Sequence, residues 1–173
     1  MSDAPEQAAI EDWDEAAFLD MQARANGRNL DPVTLLATDY LNHFNEIVML
    51  LEMIPDMPEI IEDTREWQPK SYKEHFRTST IADRELAIEA YDVVPARFKA
   101  PFEQTVLMLD QLILASIDRL SADIQEGNIE IVRENARTLS RTIQQLMDTA
   151  SGIIHGSTKS LDQSAVDSLI AGG

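Results

Sequence analysis

The side chains of this sequence that could do chemistry are carboxylates, amides and three histidines, because cysteine is absent. A cysteine nucleophile, a thiolate metal site and a disulfide are therefore excluded. Helical bundles often hold two metal ions with glutamates and E-x-x-H pairs, and the chain has no E-x-x-H. His43 and Glu46 form one pair in reverse order, and Glu74 and His75 are adjacent and so point in different directions. We therefore expect no metal site and a His43 ring that is satisfied on the flank of a bundle.

A carboxylate and an amide, Asp39 and Asn42, stand three residues apart in a segment with helical periodicity. That spacing places both side chains on one face of a helix, and the apolar pattern around them predicts that this face meets solvent. The sequence contains no glycine-rich phosphate loop, and no Ser/His/Asp arrangement stands out. Asp39 and Asn42 therefore form a carboxylate–amide pair on an exposed face, which an ordinary solvated helix face would also show.

The formal net charge of the 173-residue chain is −17. Binding to nucleic acid through its phosphates requires concentrated Lys and Arg, so this balance argues against that class and against anionic membrane surfaces. Partners with a basic patch are favoured instead. Arg133, Arg137 and Arg141 nevertheless recur one helical turn apart. They could meet an acidic receiver surface, or pair with Glu130 and Glu134 three or four residues away.

Two long segments within residues 101–155 repeat apolar residues in steps of three and four, which predicts two helices. Gly127 can end the first helix in the left-handed conformation, and Asn128 can cap the second. A connection this short makes the two arms antiparallel and in contact. The predicted seam consists of Phe102, Val106, Leu109, Ile113, Ile117, Leu120 and Ile124 in the first arm and Val132, Ala136, Leu139, Ile143, Leu146, Ala150 and Ile153 in the second.

The remaining helices are predicted to pack on this hairpin. One helix is expected to begin at Asp31 and Pro32 and to end before Pro55, and a serine capping box is expected at Ser71. The predicted core row of the helix that begins at Asp31 is Val33, Leu36, Tyr40, Phe44, Ile47, Leu51 and Ile54. Because Leu107, Leu112 and Leu114 lie outside the hairpin seam, further helices or a homodimer must cover them. We expect an all-α fold with a four-helix-bundle-like core.

The chain divides by composition into four parts. We expect residues 1–30 to form an acidic, partly disordered N-terminal segment with a helix over residues 8–24. The apolar row of this helix would pack on the domain or serve as a partner motif; it consists of Ile10, Trp13, Ala17 and Met21. Residues 31–155 form the helical bundle, residues 156–160 a linker and residues 161–173 a C-terminal peptide. No apolar run approaches the ~20 residues that span a bilayer, and the N-terminus lacks a secretory pattern. We therefore expect a cytoplasmic protein.

The C-terminal peptide has an apolar ridge with acidic flanks. If Asp162 caps a short helix, Val166, Leu169 and Ile170 share one face at i, i+3 and i+4 spacing, and Asp167 lies off it. A helix this short is not stable alone. Two interpretations remain open: the peptide folds into a groove on a partner, or it is a last helical turn that packs on its own bundle.

The peptide resembles the CheY-binding peptides of the flagellar switch protein FliM and the chemotaxis phosphatase CheZ, which read approximately L-S-Q-x-E-I-D-x-L-L. The matching residues are Leu161, Gln163, Val166, Asp167, Leu169 and Ile170, whereas Asp162 and Ala165 depart from the FliM form. The resemblance implies that these residues, with Asp162, bind a phosphorylated CheY-like receiver domain. It implies a role in chemotaxis or two-component signalling, and no cofactor beyond a magnesium ion carried by the receiver.

The resemblance also raises the question of catalysis. Phosphatases of this kind use an amide to orient the attacking water and an acid to contact the receiver's lysine. The CheZ pattern D-x-x-x-Q is missing from both hairpin arms, and Asp110, Asp118 and Asp123 have no amide three or four residues on. Asp39 and Asn42 resemble instead the E-x-x-N of the CheC and CheX phosphatases, and this resemblance implies that they are the candidate catalytic residues. The alternative is that they belong to an ordinary solvated face. A receiver phosphatase, a non-enzymatic helical adaptor or scaffold, and an unrelated bundle all stay open.

Overall fold

The hairpin forms the centre of the fold in a computed structural model, which describes residues 14–157. Its arms are α6 (Ala96–Glu126) and α7 (Ile129–Ile154). Gly127 ends α6 with φ of +78°, and Oδ1 of Asn128 accepts hydrogen bonds from the first backbone N–H groups of α7. The seam residues predicted in α7 are all buried. The predicted antiparallel hairpin is therefore confirmed, although α6 begins five residues before Pro101, at Ala96.

Within the described residues, five shorter helices precede the hairpin. They are α1 (Glu15–Arg24), α2 (Asn42–Met53), α3 (Ile61–Thr64), α4 (Tyr72–Arg77) and α5 (Arg84–Tyr91), with 3-10 turns at Thr38–Leu41 and Pro58–Ile60. The described residues form helices and loops without a strand, so the predicted all-α fold is confirmed. None of the helices in residues 14–157 has both the length and the apolarity to cross a membrane.

The predicted start of the first long helix is wrong. Residues 31–37 form a loop, and α2 begins only at Asn42 after a 3-10 turn. Oδ1 of Asp31 accepts hydrogen bonds from the N–H groups of Val33 and Thr34, and Leu35 has a φ of +65°, which no right-handed helix allows. Val33 is consequently 48% exposed, although the rest of its predicted core row is buried.

The loop of residues 31–37 is held against the end of the hairpin. Oγ1 of Thr34 donates a hydrogen bond of 2.6 Å to the backbone carbonyl of Ile154. The Ala37 N–H donates to Oη of Tyr72 at 2.8 Å. Leu35 and Leu36 are fully buried. These contacts fix the entry of the chain into α2 and therefore the position of Asp39.

The capping box at the start of α4 is confirmed. Oγ of Ser71 accepts from the Glu74 N–H at 3.2 Å, and a Glu74 carboxylate oxygen accepts from the Ser71 N–H at 3.0 Å. Helix α1 buries Phe18 and Met21 in the same core as the bundle. The N-terminal segment therefore packs on the domain over its described part. Ile10 and Trp13 of its predicted apolar row lie outside the described residues.

The three leucines of α6 that lie outside the predicted seam differ in exposure. Leu112 is buried within the chain, whereas Leu107 and Leu114 are 56% and 42% exposed. The homodimer that could cover these two leucines stays a prediction.

Candidate functional site

Asp39 and Asn42 come together at the entrance to α2, as their spacing predicts. Asp39 lies in the 3-10 turn, Asn42 is the first residue of α2, and Nδ2 of Asn42 donates to Oδ1 of Asp39 at 3.1 Å. Nδ2 of Asn45 donates in turn to Oδ1 of Asn42 at 3.4 Å. Asn42 is exposed, but Asp39 is only half-exposed. The amide is therefore accessible, and the carboxylate is turned toward a neighbour.

That neighbour is His75 of α4. Its Nε2 lies 3.0 Å from Oδ2 of Asp39, with side-chain exposures of 15% and 25% respectively. The sequence placed His75 only beside Glu74 and gave no reason to pair it with Asp39, because the two residues meet through the packing of α4 on the α2 entrance. A carboxylate that orients an imidazole is an arrangement able to hold or move a proton. Both carboxylate oxygens of Asp39 already have partners.

His43 lies next to this pair, inside the core. Its ring stacks on Trp67 at 4.8 Å, and Nε1 of Trp67 donates to the His43 carbonyl at 3.2 Å. Nε2 of His43 is buried and has no hydrogen-bond partner among the described residues. Burial, with smaller contributions from the charges of His75 and Lys70, lowers the pKa of His43 to about 4. The predicted satisfied ring on the bundle flank is therefore wrong, and the imidazole is neutral at pH 7.

A cavity of about 480 Å³ lies on the other side of Tyr40, between α4 and α6. Its wall includes the aromatic rings of Tyr40, Tyr72, Tyr91 and Phe102, with Tyr72 and Tyr91 stacked at 4.5 Å. The polar and charged side chains that line it include Lys70, Lys73, Arg77, Glu103 and Asp110. In a chain of net charge −17, this cavity is unusual because three of its lining side chains are cations.

Asp110 is the distinctive group of this cavity. Its Oδ1 is buried and has no hydrogen-bond partner among the described residues. Burial raises the pKa of Asp110 to about 6. Lys73 is paired with Asp92 at 2.6 Å, whereas Lys70 and Arg77 have no ion-pair partner in the described part of the chain. The cavity therefore combines available cations with a carboxylate that takes up a proton easily.

Sequence reasoning considered Asp110 only as an acid without a nearby amide. The cavity joins the loop before α4, the helix α4 itself and the first half of α6, which are far apart in the chain. A raised pKa in a pocket is a common mark of a functional group. The burial that raises the pKa of Asp110 depends on tertiary packing and cannot be predicted from a local sequence pattern.

The other predicted sites have different outcomes. Within residues 14–157 no group of three His, Asp or Glu side chains is arranged to hold a metal ion. The predicted partner-binding residues lie outside the described residues; they are Leu161, Asp162, Gln163, Val166, Asp167, Leu169 and Ile170. Comparisons of the chain with protein-family models, with curated proteins and with solved structures find no match.

Proposed function

We propose that this protein binds a phosphorylated CheY-like receiver domain through its C-terminal peptide, residues 161–173, and acts in chemotaxis or two-component signalling. The observation that carries the proposal is the pattern of Gln163, Val166, Asp167, Leu169 and Ile170, which resembles the CheY-binding peptides of FliM and CheZ. On a helix the three aliphatic residues share one face, suited to a groove on the partner.

The expected affinity suits a reversible signal. Burying three aliphatic side chains contributes roughly 5–8 kcal/mol before costs. Association and ordering of the peptide cost a comparable amount. The net interaction is therefore weak, with a Kd roughly between micromolar and millimolar.

The helical domain supports this role by holding the helix that leads to the peptide. Thr34 binds the Ile154 carbonyl, Nδ1 of His155 lies 3.2 Å from Oδ2 of Asp31, and the Ser157 N–H donates to the Gly152 carbonyl at 2.9 Å. The end of α7 is thus held by the loop of residues 31–37 and by its own last turn. A peptide attached there has a defined point of departure from the bundle.

Single substitutions in the peptide of the full chain test this proposal. Leu169→Ser and Ile170→Ser each remove one member of the aliphatic face, and each should weaken binding to the receiver about tenfold or more. Ser168→Ala changes a residue off that face and should leave the Kd within about twofold. Equal affinities for all four proteins, measured by fluorescence anisotropy or calorimetry, would exclude the peptide as the docking element.

Two versions of the proposal differ in catalysis. In the first, the protein promotes dephosphorylation of the receiver with Asp39 and Asn42; in the second, it is a non-enzymatic helical adaptor or scaffold. The contacts of Asp39 with His75 and Asn42 favour the adaptor, because both carboxylate oxygens are already engaged.

Loss of phosphate from the receiver separates the two versions. A phosphatase accelerates this loss, and Asn42→Ala abolishes the acceleration while leaving receiver binding unchanged. Gln145→Ala, which removes an exposed amide of α7, is the matched control and keeps full activity. Full activity of Asn42→Ala would exclude that residue. Receiver binding without acceleration by the unaltered protein would exclude the phosphatase and favour the adaptor.

A further inference from the structure

The arginines of α7 line a groove of about 360 Å³ between this helix and the turn that follows α2. Arg133 contacts Asp56 at 3.5 Å. Arg137 and Arg141 have no ion-pair partner among the described residues, so the expected pairing of the stripe with Glu130 and Glu134 is wrong. Two available guanidinium groups thus lie side by side in a chain with 31 acidic and 14 basic residues.

Ser140 supplies a second, independent observation in the same groove. The residue is 3% exposed, and its Oγ is buried without a hydrogen-bond partner among the described residues. Five other hydroxyl groups on the two long helices donate to the carbonyl four residues earlier, at 2.7–3.1 Å; these are Thr105, Ser116, Ser121, Thr142 and Thr149. A buried hydroxyl without a partner is costly. Ser140 therefore lines the groove with an unused hydrogen-bond donor.

We propose that this groove binds the phosphate group of a small phosphorylated molecule, held by Arg137, Arg141 and Ser140. Each guanidinium presents a planar fork of N–H donors that matches two oxygens of a phosphate. The Ser140 hydroxyl, which is buried in this structure, can donate to a third after a change of rotamer. The volume is within the range of small-molecule sites. The proposal does not depend on receiver binding, because it concerns a different part of the chain.

The remaining wall of the groove limits the ligand further. Asp56 is paired with Arg133, whereas Glu52 accepts a hydrogen bond from Nε2 of Gln144 at 3.1 Å. These carboxylates can also accept hydrogen bonds from N–H or O–H groups. The ligand therefore has one phosphate-bearing end and one end with hydrogen-bond donors.

Titration of the full chain with inorganic phosphate and with pyrophosphate tests the site, with citrate as a polyanion that lacks phosphorus. Calorimetry gives the Kd at constant ionic strength, and amide NMR shifts locate the binding. We expect saturable binding of both phosphate probes, little binding of citrate, and shifts centred on residues 137–141. Absence of saturable binding up to ~10 mM, far above the working range of small-ligand sites, would overturn the proposal.

Charge-matched variants separate the groove from general attraction of anions. Arg137→Gln and Arg141→Gln should each weaken pyrophosphate binding about tenfold, since each removes a charge-assisted hydrogen-bond donor. Arg119→Gln removes the same charge from an exposed position on α6 and should change the Kd less than about twofold. Equal weakening by all three variants contradicts the site. Ser140→Ala should weaken binding about threefold or more, and unchanged affinity would exclude this hydroxyl as a ligand.

Discussion

Nε2 of His75 lies 3.0 Å from Oδ2 of Asp39, and this contact joins α4 to the entrance of α2. The His75 ring also meets Tyr40 edge-on, with 5.5 Å between ring centroids. The pair thus connects two segments that are 36 residues apart in the chain. It holds the candidate catalytic carboxylate in one orientation.

Removal of this imidazole should destabilise the protein. We expect His75→Ala to lower the free energy of unfolding by about 1–3 kcal/mol, because it leaves a half-buried carboxylate oxygen without its partner. His155→Ala is the matched control: its ring lies 3.2 Å from Asp31 but its side chain is 61% exposed. The control should lose less than about 1 kcal/mol. Equal losses in urea unfolding would show that the Asp39 contact has no special weight.

The buried imidazole of His43 makes stability depend on pH. Its pKa in the folded protein is lowered to about 4, whereas an unfolded histidine titrates near 6.5. The unfolded chain therefore binds more protons between these values, and stability falls as the pH falls from about 6.5 to 4. Replacement by Gln should remove up to about 3 kcal/mol of this pH dependence. Parallel stability curves for His43→Gln and the unaltered protein, from urea unfolding at pH 7.5, 6, 5 and 4, would contradict the assignment.

Asp110 changes the stability with pH in the opposite direction to His43. Its pKa is raised to about 6 by burial, so its ionised form destabilises the fold above that pH, and the penalty disappears below about pH 4. We expect Asp110→Asn to gain about 1–2 kcal/mol at pH 7.5 and nothing at pH 4. Asp118→Asn, at an exposed position on the same helix, should leave the stability unchanged at both pH values. A gain that is equal at both pH values would mean that burial of the charge is not its cause.

The turn of the hairpin depends on backbone conformation. Gly127 has a φ of +78°, and an added Cβ would meet no atom within 4 Å. Gly127→Ala should therefore cost about 1–2 kcal/mol from the left-handed conformation alone. Gly152→Ala, within α7, would bring Cβ to an ordinary 3.8 Å from Ser157. It should stabilise the protein by about 0.5–1 kcal/mol. Thermal unfolding checks both, and a loss for the second change or none for the first would contradict this account.

The hairpin could be predicted because its signals are local. Apolar spacing marks both arms, and Gly127 and Asn128 mark the turn within two residues of each other. The start of α2 could not be predicted in this way. Asp31 and Pro32 are typical of a helix start, but here Asp31 binds the N–H groups of a loop, and the buried Leu35 takes a positive φ to bring Thr34 to Ile154. Tertiary contacts outweighed the local preference.

The site was only partly predictable for the same reason. Spacing alone placed Asp39 beside Asn42, because three residues make less than one helical turn. The contact of Asp39 with His75 and the burial of Asp110 arise from segments that are distant in the chain. The arginine stripe was visible as a pattern, but its position in a groove beside Ser140 depends on how α2 and α7 pack.

The central claim is that residues 161–173 bind a CheY-like receiver. The most direct test measures the affinity of a CheY-type receiver, with and without a phosphoryl mimic, for the full chain and for a chain that ends at Ser157. We predict tighter binding of the full chain to the activated receiver and loss of this binding in the shortened chain. Equal binding by both chains, or no binding by either across the receivers of the source organism, would contradict the claim.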